Sequence, residues 1–137
     1  MANPAPGFEK HPNYEVNLEP LDAELVVKVS GLQLASSKRA VVVGETKHRP
    51  VWYIPLEDID SALLQETDTD TYCPFKGHAS YWSIKANGSL IEDAIWAYPA
   101  PYDECEALKG YASFYTNKVD LYIDGKAMNS DGPGWTD

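Results

Sequence analysis

A cysteine and a lysine that could carry chemistry, Cys73 and Lys76, lie close together in the stretch "TYCPFKGHASYWSI", residues 71–84. Pro74 fixes its own φ angle and biases Cys73 towards an extended backbone. Gly77 permits a sharp bend, so Lys76 and the cysteine are predicted to share a short, stiff turn. A nearby ammonium promotes formation of a thiolate, which is the nucleophilic form of cysteine. The pattern therefore indicates a reactive thiol, a lysine that grips an anionic ligand, or a structural corner with a buried thiol.

Aromatic residues gather around the same region of the sequence. Packing is their ordinary role, but tyrosine and tryptophan also have polar tips, and a group of them lines a pocket well. The residues concerned are Tyr53, Phe75, Tyr81, Trp82, Trp96, Tyr98 and Tyr102.

A hairpin is the strongest local signal. Asn87-Gly88 lies between two runs of strand-forming residues and supplies the two positive φ angles of a type I′ turn. The predicted pairs are Ala86 with Ser89, Ile84 with Ile91, Trp82 with Asp93, Ser80 with Ile95 and Ala79 with Trp96. The face that carries Trp82 and Ile84 is the more apolar and is expected to meet the core. Asp93 would then be a carboxylate among apolar side chains, which must be hydrogen-bonded, paired or protonated.

Two alternative roles are considered for each of three further charged residues. Asp58 follows Pro55 and is predicted to cap the turn rather than to take part in catalysis. Arg39 and Glu45 flank the apolar run 40–43 and either form an ion pair or reach the pocket.

Several mechanisms lack the residues they need. The sequence contains no phosphate-binding glycine loop, no nucleophile elbow, no C-x-x-C and no H-E-x-x-H. His11, His48 and His78 are scattered, whereas a structural zinc site needs four ligands in paired spacing. No metal and no cofactor are therefore expected.

Composition limits the partners. The 137-residue chain has a net charge of −10 and a pI near 4.6, which argues against a duplex nucleic-acid surface but leaves a phosphorylated small ligand open. Two cysteines are too few for a disulfide framework, and no apolar leader or membrane-length run is present. We expect a soluble, cytoplasmic protein with reduced thiols and no membrane contact.

Period-two alternation predicts a mostly β fold. It places Leu25, Val27 and Val29 on one strand face and Val119, Leu121 and Ile123 on another. "LQLASS", "AVVVGET" and "VWYI" are further strand candidates, and helical turns are expected near residues 56–64 and 104–109. We predict a compact antiparallel β domain over residues 19–126, with a loosely held arm at 1–18 and a tail at 127–137.

The order of four motifs resembles the domain of unknown function 427 family. The motifs are "YIPLEDI", "TYCPFKGHASYWSI", "DAIWAYPAP" and "GYASFYTNKVDLYIDG", and the resemblance runs from about Glu19 to Asp124. It implies a β-tent fold similar to the Mss-four and methionine-sulfoxide-reductase group. A nucleotidyltransferase label accompanies the family, but the sequence has no Gly-Ser with a paired Asp-x-Asp and no assembled Mg²⁺ carboxylates. The resemblance links the Cys73–Gly77 turn with Asp93 and Trp96 as one site.

Three hypotheses follow, and they leave open whether the protein is an enzyme. The first is a small-molecule pocket lined by Tyr53, Cys73, Lys76, Tyr81, Trp82, Asp93, Trp96 and Tyr98. In it Cys73, Lys76 and Asp93 are the catalytic candidates, with Lys76 as the anion contact and Asp93 as the polar anchor or general base. The second is a thiol redox role, with Cys73 attacking and Cys105 resolving. The third is a non-catalytic interaction or structural module.

Overall fold

Two antiparallel sheets make up most of the fold, as the alternation predicts. The structure is a computed structural model and describes residues 3–128. Its strands are β1 (Val16–Pro20), β2 (Leu25–Val29), β3 (Leu32–Ser37), β4 (Val41–Glu45), β5 (Val51–Pro55), β6 (Leu64–Cys73), β7 (Gly77–Ala86), β8 (Ser89–Ala97), β9 (Tyr111–Phe114), β10 (Asp120–Ile123) and β11 (Lys126–Met128). The larger sheet has the order β1-β4-β5-β9-β8-β7-β6, and the smaller one has the order β11-β10-β2-β3.

The helical segments are short. One α-helical turn, α1 (Gly7–Lys10), lies near the N-terminus, and three 3₁₀ turns lie at Leu56–Asp58, Ser61–Leu63 and Asp103–Leu108. The last three fall where helical turns were predicted. No helix in residues 3–128 is long and apolar enough to cross a membrane.

Three hairpins use the same two-residue turn. Asn87-Gly88 has φ angles of 48° and 81°, so the predicted type I′ turn and the pairing of Ala86 with Ser89 are confirmed. Ser30-Gly31 and Asp124-Gly125 have nearly identical angles and join β2 to β3 and β10 to β11. The repeated chemistry fixes the register of each hairpin at its turn.

The register of the central hairpin changes further from the turn. Ile84 pairs with Ile91 as predicted, but Trp82 pairs with Ile95 instead of Asp93. The reason is a bulge in β8, in which Asp93 adopts a φ of 47° that a regular strand residue does not have. The other displaced pairs are Ser80 with Ala97 and Tyr81 with Trp96. Because the shift is two residues, Ile95 keeps its predicted face.

The main core lies between the two sheets. Leu25, Val27 and Val29 are fully buried there, as predicted, together with Ile54 and Ile95 from the larger sheet. Tyr53 and Trp96, which are adjacent to Ile54 and Ile95 in the sequence, point to the opposite face of that sheet, because strand side chains alternate. A second apolar cluster therefore covers the outer face and contains Val43, Tyr53, Ala79, Tyr81, Trp96, Tyr98, Cys105 and Leu108.

The N-terminal segment, which was predicted to be a loosely held arm, contacts the domain. The backbone N–H of Gly7 donates to the Pro74 carbonyl at 2.9 Å, and Ala5 and Gly7 are buried. The predicted tail begins inside β11, and the stretch from Asn129 onward lies outside the described residues.

Candidate functional site

A cavity of about 460 Å³ lies on the outer face of the seven-stranded sheet, beside the second apolar cluster. Its volume falls within the usual range for small-molecule sites. The lining residues are Tyr14, Val43, Glu45, His48, Arg49, Val51, Tyr53, Tyr72, Cys73, Pro74, Phe75, Lys76, Tyr81, Trp96, Tyr98 and Tyr115. They come from the N-terminal segment, from strands β4 to β8, from the β4–β5 connection, from the turn after β6, and from the positions that follow β8 and β9.

A buried ion pair forms one wall of the cavity. Lys76 Nζ contacts Glu45 Oε1, and the two side chains are only 9% and 8% exposed. Tyr14 donates its hydroxyl proton to Glu45 Oε2 at 2.6 Å, so both carboxylate oxygens have partners. Burial removes water from the ammonium and lowers the pKa of Lys76 to about 8, while the nearby Cys105 thiol acts in the opposite direction.

The turn that presents Lys76 is as stiff as the sequence predicts. The Lys76 N–H donates to the Cys73 carbonyl at 3.2 Å, and Cys73 pairs with Gly77 at the start of β7. Gly77 has a φ of 125°, and a Cβ there would lie 3.2 Å from the Ala100 carbonyl oxygen, so the position requires glycine. This geometry holds Lys76 Nζ 4.0 Å from Cys73 Sγ.

The two cysteines have different surroundings. Cys73 is a half-buried free thiol on the cavity wall. Cys105 is fully buried in the second cluster, and its thiol lies 3.6 Å from the Phe75 carbonyl oxygen, to which it donates. Burial raises the pKa of Cys105 to about 11. The hypothesis that Cys105 resolves a disulfide with Cys73 stays a prediction.

The aromatic floor of the cavity is held by a buried hydrogen bond. Trp96 Nε1 donates to the Tyr53 hydroxyl at 3.1 Å, and the two rings meet edge to face. Burial raises the pKa of Tyr53 and of Tyr98 well above the usual tyrosine value. These phenols therefore stay protonated at neutral pH, and a hydrogen bond links their two hydroxyl groups.

The N-terminal segment secures the opposite wall. The Tyr14 ring stacks on Phe75 with centroids 3.9 Å apart, and Phe8 meets the same ring edge-on at 5.0 Å. A Cβ at Gly7 would lie 2.7 Å from that ring, so the chain passes directly over it. Tyr14 thus links this segment to the ion pair through one side chain.

Six of the eight predicted site residues line the cavity: Tyr53, Cys73, Lys76, Tyr81, Trp96 and Tyr98. Trp82 and Asp93 are not among the lining residues, because Trp82 packs against the main core on the other face of the sheet. Asp93 accepts hydrogen bonds of 2.7 Å from both Thr67 and Thr69, which lower the pKa of its carboxyl group. The structure therefore does not bring Asp93 together with Lys76.

Arg39 and Glu45, which the sequence analysis considered as an ion pair, have different partners in the structure. Arg39 pairs with Glu57 at 2.6 Å and Asp58 at 2.9 Å, whereas Glu45 lies at the cavity. Asp58 accepts from the Ser37 hydroxyl at 2.6 Å and does not cap the turn that contains it, so the expected cap is wrong. Asp60 is the residue that caps a 3₁₀ turn, by accepting from the Ala62 N–H.

Several lining residues had no clear signal in the sequence. Tyr14 lies in the segment predicted to be loose, and His48 and Arg49 lie in the β4–β5 connection. Burial lowers the pKa of His48, which favours the neutral imidazole. Tyr115 alone could have been found, because it belongs to the Phe-Tyr pair of the family motif.

Within residues 3–128, no group of three His, Cys, Asp or Glu side chains is placed to hold a metal ion.

The fold and the site define a small two-sheeted β domain with an aromatic cavity on its outer face. The sequence profile of the family described as domain of unknown function (DUF427) matches residues 17–125. The chain belongs to that family, as the motif order indicates. No curated protein matches the sequence.

Proposed function

We propose that the protein binds a small organic molecule in this cavity, with Lys76 and Glu45 as its polar contacts. The buried ion pair on an aromatic wall is the observation that carries the proposal. A pair of buried charges is often less stabilising than apolar side chains of the same volume, because both ions lose their hydration. A ligand that uses these charges gives a reason for their presence at this position.

The lining favours a planar, largely apolar ligand with a hydrogen-bond acceptor or an anionic group. Tyrosine and tryptophan rings offer flat, largely apolar surfaces. The Lys76 side chain brings an ammonium group to the lining. An acceptor group on the ligand is therefore expected to lie near Lys76.

Fragment binding to matched variants tests this proposal. Fragments that bind the wild-type protein should lose at least about tenfold in affinity in Lys76→Gln, because one charge-assisted hydrogen bond contributes roughly 1.5–3 kcal/mol. The control is Trp82→Phe, which changes a ring on the opposite face and should leave affinity unchanged. Fragments that bind equally to both variants, or no binding by any fragment, would contradict the proposal.

A thiol redox role is a second candidate, and one observation favours it. Cys73 is a free thiol on the cavity wall with an ammonium 4.0 Å away. Treatment with hydrogen peroxide followed by mass spectrometry tests it. A sulfenate at Cys73, or a disulfide with Cys105, is expected if the role is correct; an unmodified thiol would end it.

A further inference from the structure

The surroundings of the Lys76 amine suit a nucleophile as well as a polar contact for a ligand. Its side chain is 9% exposed and lies on the wall of a mostly apolar cavity. The Tyr98 ring centroid is 5.9 Å from Nζ, and the Glu45 carboxylate is in direct contact. A lysine becomes nucleophilic when it is desolvated and a base can take its proton, and both conditions are present here.

Lysine is also the less suitable residue for a purely structural pair at this position. Arginine stays charged and binds a carboxylate through two parallel hydrogen bonds, whereas the lysine ammonium is a point charge whose pKa falls when it is buried. Glu45 keeps one oxygen for Lys76, because Tyr14 occupies the other. The arrangement therefore suits transfer of a proton between Lys76 Nζ and Glu45 Oε1.

We propose that Lys76 forms an imine with a small aldehyde or ketone seated in the cavity, and that Glu45 carries the protons. This inference rests on the proposed function and names the class of its ligand. Planar carbonyl compounds with an aromatic body fit the lining, and their carbonyl oxygen is an acceptor of the kind expected near Lys76.

The reaction needs no oxidant, reductant or cofactor. The Lys76 ammonium gives a proton to Glu45, and the free amine attacks the carbonyl carbon. A C–N bond forms while the C–O π pair moves to oxygen, which takes the proton back from Glu45. The nitrogen then gives a second proton to Glu45, and the hydroxyl group takes that proton and leaves as water. The C–O bond breaks as the nitrogen lone pair forms the C=N bond of a protonated imine.

Reductive trapping in the full chain is the test. Benzaldehyde and cinnamaldehyde are the probes, with sodium cyanoborohydride to reduce the imine and peptide mass spectrometry to locate it. Lys85, which is exposed on β7, is the internal control. An amine with a pKa of about 8 has a neutral fraction at about pH 7.4 that is roughly 200-fold larger than that of an ordinary lysine. We expect trapping at Lys76 to exceed trapping at Lys85 by at least about tenfold.

Two variants separate the roles of the pair. Lys76→Arg keeps the charge beside Glu45 but cannot form an imine, so it should lose the adduct and leave Lys85 labelling unchanged. Glu45→Gln removes the proton carrier and should slow Lys76 labelling by about 100-fold or more, in the range of a general acid–base catalyst. The comparison of Lys76 with Lys85 in the wild-type protein needs neither variant to fold.

The outcomes distinguish this inference from the proposed function. Trapping at Lys76 no faster than at Lys85 overturns the imine. If benzaldehyde still perturbs NMR signals of cavity residues in that case, binding stands and only the covalent step fails. If it perturbs none and no other fragment does, both proposals fail.

Discussion

Replacing Lys76 by methionine should destabilise the protein strongly, because the Glu45 carboxylate would remain enclosed without its charged partner. Breaking a buried ion pair by removing one partner costs about 3–5 kcal/mol. For 137 residues the unfolding entropy is about 0.29 kcal/mol/K, so the melting temperature should fall by roughly 10–17 °C. Methionine has a similar length and keeps the apolar contacts of the lysine stem, so lost packing contributes little.

Urea unfolding and calorimetry at pH 7 measure this effect, and two variants control for it. Lys76→Met/Glu45→Leu removes both charges and should recover most of the lost stability. Arg39→Met breaks an ion pair whose arginine side chain is 55% exposed, and it should change the melting temperature far less. A single Lys76→Met variant as stable as Arg39→Met, or a double variant no better than the single one, would refute the reasoning.

Three further predictions concern the walls of the cavity. Tyr53→Phe leaves the buried Trp96 indole N–H without an acceptor and should cost about 1–3 kcal/mol in urea unfolding. Iodoacetamide at about pH 8 should label Cys73 but not Cys105 until the protein unfolds, because the pKa of Cys105 is about 11 and its thiol is buried. Gly7→Ala places a Cβ against an aromatic ring of the wall and should destabilise by about 1–3 kcal/mol, with faster proteolysis of the N-terminal segment.

Each of these predictions has a clear contradicting result. Tyr72→Phe removes an exposed hydroxyl bond to Tyr102 and is the control for Tyr53→Phe, so equal losses would contradict a special role for the buried bond. Labelling of Cys105 in the folded protein would contradict its burial. A Gly7→Ala variant of wild-type stability would show that the N-terminal segment does not press on Phe75.

The features of the fold that could be predicted depend on residues close together in the sequence. Asn87-Gly88 predicts its hairpin because two adjacent positive φ angles favour those residue types. The bulge at Asp93 could not be predicted, because its partners Thr67 and Thr69 lie on another strand. That strand, β6, was itself missed, because an edge strand with polar residues on both faces shows no apolar alternation.

At the site, too, contacts between residues close in the sequence could be predicted, and contacts between distant residues could not. Pro74 and Gly77 lie within four residues of Cys73, so the stiff turn could be read from a short stretch of sequence. The partners of Lys76 could not, because Glu45 precedes it by 31 residues and Tyr14 lies a further 31 residues upstream. Long-range pairing of strands creates the ion pair, and a single sequence does not show which strands pair when they are distant along the chain.

The most direct test of the central claim is an NMR screen of fragments that follows the tryptophan indole N–H signals. Trp96 lies on the cavity floor, whereas Trp82 packs against the main core on the opposite face, so one protein contains both reporter and control. We predict that planar fragments with a carbonyl or carboxylate group will shift the Trp96 signal in a saturable way and leave the Trp82 signal in place. A Trp96 signal that no fragment moves, or one that always moves together with Trp82, would contradict a ligand site in this cavity.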